Sequence, residues 1–237
     1  MSSIYHKIYV ALGGKKGSFL QRHWERFRTI SVSKKKSKLL PVYGMEMLKI
    51  FRITCEECGV KGWLEYGTLL GAYREKSFIP HDNDLDVGMY ADEYSLVFEQ
   101  SLLNYGFIKK HEYYLVNATN NSRTLTEVGF SYYEFTIDIF LTEKGGDTRK
   151  AYVYLFDTFD DSPKLKVKYF TLQQVEPLQT LTIDGEPFLA PRLPEDTLAK
   201  VYGDDFMTPQ RGWMPSTSNP NVTYVERDAE YGEHIIF

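Results

Sequence analysis

The chain has 237 residues, 43% of them hydrophobic and 25% charged, with a net charge of −4. That is enough apolar material for a sizeable core, and the charge is that of an ordinary globular chain. The balance gives no electrostatic footprint for nucleic acid, and no apolar run approaches the length of a membrane-spanning helix.

Residues 1–42 form a basic extension with Lys15, Lys16, Arg22, Arg26, Arg28, Lys34, Lys35, Lys36 and Lys38, closed by Pro41. Within it QRHWERF has helical character. The charge run fits equally a patch that meets an anionic membrane or lipid-linked acceptor and a solvated arm. The N-terminus lacks a basic stretch followed by a long apolar one, so no signal peptide is expected.

Residues 43–59 predict an amphipathic helix with Met47, Leu48, Phe51, Cys55 and Cys58 on one face and Gly59 at its end. A lone C-x-x-C without a second pair reads as two buried, reduced thiols rather than a zinc site. Reduced thiols and no export signal predict a cytoplasmic protein, and the basic segment, where read as a membrane patch, would set it at the membrane periphery. A strand over 62–66 follows, then Gly67, then a helix over 68–75 with Thr68 as its N-cap. Pro80 holds Ile79 extended and feeds a strand from Asp84 to Tyr90. Ala91-Asp92-Glu93 opens a helix to about Leu103. From 107 to about 184 the pattern is β, ending in an Asp184-Gly185 turn. Pro194-Glu195-Asp196 opens a short helix that ends at Tyr202-Gly203, and the proline-bearing tail, 209–237, reads as irregular.

The candidate chemistry lies between Trp63 and Tyr90. Asp82, Asp84 and Asp86 stand at every second position, with Leu85 and Val87 between and after the last two. On a strand this puts the carboxylates on one face and the apolar residues on the other. Three like charges on one face are unfavourable unless a cation sits among them, and oxygen ligands select Mg²⁺, Mn²⁺ or Ca²⁺ over zinc. An EF-hand loop is the rival pattern, but it needs glycine at its sixth position, which here is Val87. Upstream, the sequence strand, glycine, hydroxyl, helix start offers backbone N–H groups to an anion, and Arg74 stands where a guanidinium could fork a phosphate. Further on, Asp138 lies between Ile137 and Ile139, on the opposite strand face from both. A carboxylate in that context is costly unless it is paired or liganded.

Together, Gly67-Thr68, Asp84-Leu85-Asp86 and Ile137-Asp138-Ile139 follow the layout of the nucleotidyltransferase fold. More closely, YGTLLGAYR, FIPHDNDLDVGM, IDIF and YGDDFMTP resemble the LicD/fukutin family of phosphotransferases over about residues 43–208. The resemblance implies an α+β fold: a nucleotidyltransferase-like mixed β-sheet with flanking helices and an added β-rich region. It implies transfer of a phosphoryl-alcohol such as phosphocholine from a CDP-alcohol to a sugar hydroxyl of a glycan or lipid-linked glycan, with release of CMP. It implies Mg²⁺ or Mn²⁺ on Asp84, Asp86 and Asp138; the hydroxyl proton is expected to go to Asp138, in preference to Asp82 at the strand mouth. Gly67, Thr68 and Arg74 match the block expected near the donor phosphates, and His81 and Asp82 the block before the metal strand. His81 departs from the family's usual tryptophan and Asn83 from its usual acid, which bears on the choice of alcohol. An NTP-dependent nucleotidyltransferase and a non-catalytic scaffold are the alternatives.

Overall fold

The computed structural model describes the backbone of residues 19–80, 82–155, 164–210, 221–226 and 228–237, and side chains from residue 39 onward. The basic residues of the extension and His81 therefore lie outside the residues described in side-chain detail.

Helix α1 runs over Phe19–Cys58, so the helix expected at 43–59 is the end of a longer one that passes through Pro41 without stopping. Proline removes one backbone bond and crowds the preceding turn. Here Leu40 beside it is buried in the core, and that burial offsets the lost bond. β1 (Gly62–Leu64) leads into a short helix α2 (Tyr66–Leu70) and a π-turn over Gly71–Glu75. β2 is Asp84–Tyr90. Helix α3 covers Leu96–Asn104 and starts later than expected, because Ser95 rather than Ala91 caps it by accepting from the Phe98 N–H.

The β region resolves into β3 (Ile108–Asn117), β4 (Arg123–Tyr132), β5 (Phe135–Thr142), β6 (Thr148–Leu155), β7 (Lys166–Gln173), β8 (Gln179–Ile183) and β9 (Glu186–Ala190). Helix α4 (Pro194–Tyr202) is where the sequence places it. The tail is not irregular throughout: β10 (Thr223–Tyr224) and β11 (Glu230–Ile236) both pair. Residues 211–220 of that tail lie outside the described residues, and in β11 Glu230, Glu233 and His234 blur the apolar alternation that marks a strand.

The main sheet is mixed, in the order β1-β2-β5-β4-β3-β11, with β2 and β5 parallel and the other pairs antiparallel. A second sheet has the order β10-β7-β6, and β8 with β9 forms a hairpin. The architecture is α+β, as expected. One face of the main sheet presents Leu85, Val87, Val128, Phe130, Ile137 and Ile139 to Met47, Leu48 and Phe51 of α1 and to Phe98 and Leu102 of α3. These side chains are almost wholly buried, which at about 25 cal/mol per Å² makes this face the main source of stability. The alternate positions of the same strands point the other way. There the second sheet packs through Ala151, Phe170 and Leu172 against Tyr66 and Val201, and the charged residues collect beside that contact.

Candidate metal and phosphate site

Strand period and parallel register decide where the acids meet. Asp86 pairs directly with Asp138 across β2 and β5, so their side chains share the face opposite the core. Asp84 stands two residues earlier on that face, at the strand's exposed start. Asp82 is not on the strand but in the loop before it. Its carboxyl still joins the group, hydrogen-bonded with Asp84. Asp84 and Asp86 are thus strand acids, and Asp82, at the strand mouth, is a loop acid.

The turn before them is built differently from the expected cap. Glu65 occupies the N-cap position of α2, and Tyr66 takes a left-handed φ of 37° that turns the chain sharply out of β1. The Gly67 N–H then donates to Asp86 Oδ2 at 2.8 Å. Thr68 sits inside the helix, and its Oγ1 accepts from the Asp86 N–H at 2.8 Å. The turn thus holds Asp86 at two points, its carboxylate through the Gly67 N–H and its backbone N–H through the Thr68 hydroxyl. Gly67 is required by close approach: a Cβ there would lie 2.9 Å from Asp82 Oδ2 and 3.0 Å from Asp86 Oδ2. The π-turn carries Arg74, whose Nε donates to Glu75 at 2.7 Å and whose Nη1 donates to the Phe206 carbonyl at 2.9 Å. It faces the same cavity as the acids.

That cavity has a volume of about 1030 Å³. Asp82, Asp84, Asp86 and Glu127 stand on one side, with Gly67 and Arg74 close by. Tyr152, Tyr154 and Phe170 of the second sheet, with Tyr202 of α4, give it an aromatic wall. Asp138 is set beside the group but is not among the lining residues.

Two residues of the cluster were not anticipated. Glu127 of β4 and His111 of β3 come up on the acidic face, with His111 Nε2 3.3 Å from Glu127 Oε1 and 3.3 Å from Asp138 Oδ1. The second approach has the distance of an ion pair without the alignment of a hydrogen bond, which leaves Asp138 Oδ1 buried and without an aligned donor. Neither residue has a local signature: His111 lies in a run of charged residues after Lys109 and Lys110, and Glu127 sits among the alternating polar and apolar residues of β4.

The charges are strained together. Burial, then the charges of Asp84, Asp82 and Asp138, push the Asp86 carboxyl well above the usual carboxylate range against the lowering bond from Gly67. Burial and Asp84 push Asp82 up to about 7. Burial pushes Glu127 up to about 7, although the His111 hydrogen bond pulls it down. At His111 burial opposes the charge, yet Asp138 and Glu127 overcome it and hold the imidazole at about 9. Each of these groups keeps its proton to higher pH folded than unfolded, so each contributes stability that is lost as pH rises. For Asp82 and Glu127 the loss runs from about 4 to about 7, and for His111 from about 6.5 to about 9. With chelator present, Tm is expected to fall steadily between about pH 5.5 and 9, by about 2–4 °C per kcal/mol lost. Added Mn²⁺ should flatten the curve, because a cation favours the ionised acids. A flat chelator curve would mean that the acids are not crowded as described.

The residues fit a hard divalent cation. The donors of Asp82, Asp84 and Asp86 are carboxylate oxygens, and Asp82 and Asp86 converge on a glycine that leaves room for both.

Residues 59–193 match the family described as LicD/FKTN/FKRP, nucleotidyltransferase domain. The lipopolysaccharide cholinephosphotransferase LicD of Haemophilus influenzae is 30% identical over 128 residues, 51% of this chain and 44% of that protein. The ribitol-5-phosphate transferase FKTN of Homo sapiens is 26% identical over 185 residues, 75% of this chain and 36% of that protein. An uncharacterized protein of Caenorhabditis elegans is 30% identical over 166 residues, 66% of this chain and 41% of its own length. The chain thus spans less than half the length of these curated relatives. Its matched segment carries β1 through β9, the glycine turn and every acid of the cluster. The chain belongs to the LicD/FKTN/FKRP family.

Proposed function

We propose that this chain is a metal-dependent phosphotransferase that moves a phosphoryl-alcohol from a CDP-alcohol to a sugar hydroxyl of a glycan or lipid-linked glycan, releasing CMP. The observation that carries the reading is the meeting of Asp84, Asp86 and Asp138 on one sheet face, beside a cavity of about 1030 Å³ that also holds Gly67 and Arg74. Two relatives support the class of reaction by their names, one a cholinephosphotransferase and one a ribitol-5-phosphate transferase.

Phosphoryl transfer needs positioning and charge neutralisation more than covalent help. Mg²⁺ or Mn²⁺ held by Asp84, Asp86 and Asp138 would supply neutralisation of the diphosphate and polarisation of the reacting phosphorus. Arg74 binds a phosphate oxygen, exchanging its contact with Glu75 for the substrate. The aromatic wall stacks the cytosine and excludes water. The acceptor oxygen forms a bond to the β-phosphorus as the bond to the bridging oxygen breaks, and that oxygen leaves with CMP. The hydroxyl proton goes to Asp82, which lines the cavity where Asp138 does not and whose carboxyl is raised to about 7. Contact of the basic segment with an anionic membrane on the cytoplasmic side, near a lipid-linked acceptor, belongs to the same proposal; among the described residues no helix is long and apolar enough to cross a membrane.

The test is thermal stabilisation of the chain by CDP, CDP-choline, CDP-ethanolamine, CDP-glycerol and CDP-ribitol, with and without Mg²⁺. Metal-dependent stabilisation by one CDP-alcohol beyond CDP is expected. Stabilisation by nucleoside triphosphates alone would replace this reading with nucleotidyl transfer, which uses the same acids and which the matched family's description names.

A further inference from the structure

We propose that His111, Glu127 and Asp138 form a second cation site that takes a divalent first-row transition ion through the imidazole, next to the all-oxygen group of Asp84 and Asp86. Asp138 belongs to both groups. Three adjacent strands build the site by register: His111 of β3 faces Gly129 of β4, and Gly129 faces Asp138 of β5. Glu127, two residues before Gly129, shares its face.

The ligand atoms are spaced for a common ion. All three lie within 4.8 Å of one another, and Nε2 is 3.3 Å from each carboxylate oxygen. Bonds of about 2.0–2.2 Å to one ion place neighbouring ligand atoms about 3–3.5 Å apart. Each side chain is less than one-fifth exposed.

Two further observations point to a ligand. Asp138 Oδ1 is buried and lacks an aligned donor despite the imidazole beside it. And Gly129 keeps the floor of the site clear: a Cβ there would lie 2.1 Å from His111 Cε1 and 2.3 Å from its Nε2. The imidazole lies over the bare backbone of β4, and any side chain would displace it. A floor cut to the ring is what a site that must hold one nitrogen in place needs.

The donor chemistry sets the ion. One imidazole nitrogen with two carboxylate oxygens suits Mn²⁺, Zn²⁺ or Co²⁺, whereas Mg²⁺ and Ca²⁺ keep to oxygen. Glu127 lines the large cavity, which gives the ion a route in. The assignment does not depend on the donor alcohol or on the reaction.

The intact chain, stripped of metal, is titrated with Co²⁺ and followed by its visible absorption. In parallel, Mn²⁺-loaded protein is measured by pulsed electron paramagnetic resonance for coupling to nitrogen. Wild type is expected to bind Co²⁺ and to show an imidazole nitrogen coupling. His111→Gln and Glu127→Gln should each weaken Co²⁺ binding by at least about tenfold, since even an outer-shell partner is worth about 10–100-fold. Asp84→Asn should keep the Co²⁺ signal. The nitrogen coupling is read on wild type, so a variant that folds poorly does not spare the proposal. No nitrogen coupling in wild type, or Co²⁺ binding indifferent to His111→Gln, would overturn it and make His111 an imidazolium bridging two acids. Stabilisation by a CDP-alcohol with Mg²⁺ in that case would leave the proposed function standing while this site fell.

Discussion

Replacing Asp86 by asparagine should abolish transfer and raise the stability of the metal-free protein. The two effects have one cause. Asp86 is held by the Gly67 N–H and pressed by the charges of Asp84, Asp82 and Asp138. Removing its charge relieves that pressure, so Tm measured in chelator should rise. Asparagine keeps the oxygen that accepts from Gly67, so the turn is retained. Without the carboxylate the cation is held less well, and transfer should fall by at least about a thousandfold, the scale of losing one charge-stabilising group at a phosphoryl transition state. Stabilisation by Mn²⁺ should shrink in the same variant. A lower Tm in chelator would show that Asp86 serves the fold rather than the site. Full transfer would end the metal assignment.

Replacing Arg149 by leucine should cost about 3–5 kcal/mol, because it leaves a buried charge without its partner. Arg149 of β6 donates from Nη2 to Glu65 Oε1 at 2.9 Å, and the two side chains are 2% and 0% exposed. The other carboxylate oxygen accepts from Trp63 Nε1 at 2.9 Å. Water cannot rescue Glu65 when the guanidinium is gone. At about 2–4 °C per kcal/mol, Tm should fall by roughly 10 °C. The double variant Glu65→Leu with Arg149→Leu should recover most of that loss, since a well-packed apolar pair can match a buried ion pair. Glu65 also begins the turn that delivers Gly67 to Asp86, and Arg149 comes from the second sheet. The pair therefore ties the acidic face to the wall of the cavity opposite it. Equal losses in the single and double variants would mean that the pair matters by shape and not by charge.

What could be read from the residues alone follows from the range of each signal. Asp84, Asp86 and Asp138 were legible because strand alternation is local: an acid between two apolar residues declares its face. Their meeting was legible through the resemblance to a known layout, and the parallel register of β2 and β5 supplies the reason. His111 and Glu127 were not legible, because what sets them apart is the alignment of β3, β4 and β5 over a glycine, and register across strands leaves no local trace. Gly129 between Val128 and Phe130 was the available hint: a glycine inside a strand often marks a close approach. Glu65 could have been noticed on the same grounds, as an acid inside Trp63-Leu64-Glu65-Tyr66. Pro41 misled because the local rule for proline is strong, and the burial that overrides it comes from distant residues. Thr68 misled for a similar reason: its hydroxyl serves the neighbouring strand instead of its own helix.

The last strand ties the order of folding to the making of the site. β11 pairs with β3 along nearly its whole length, and the paired residues lie over a hundred positions apart in the chain. Contacts of that span form late, since a long loop must close before they repay it. Until then β3 is an open edge, free to pair with another chain or to shift its alignment on β4. A one-residue shift would turn His111 to the opposite face. β11 thus closes the edge of the strand that carries His111, and until residues 230–236 pair, that side of the sheet stays open.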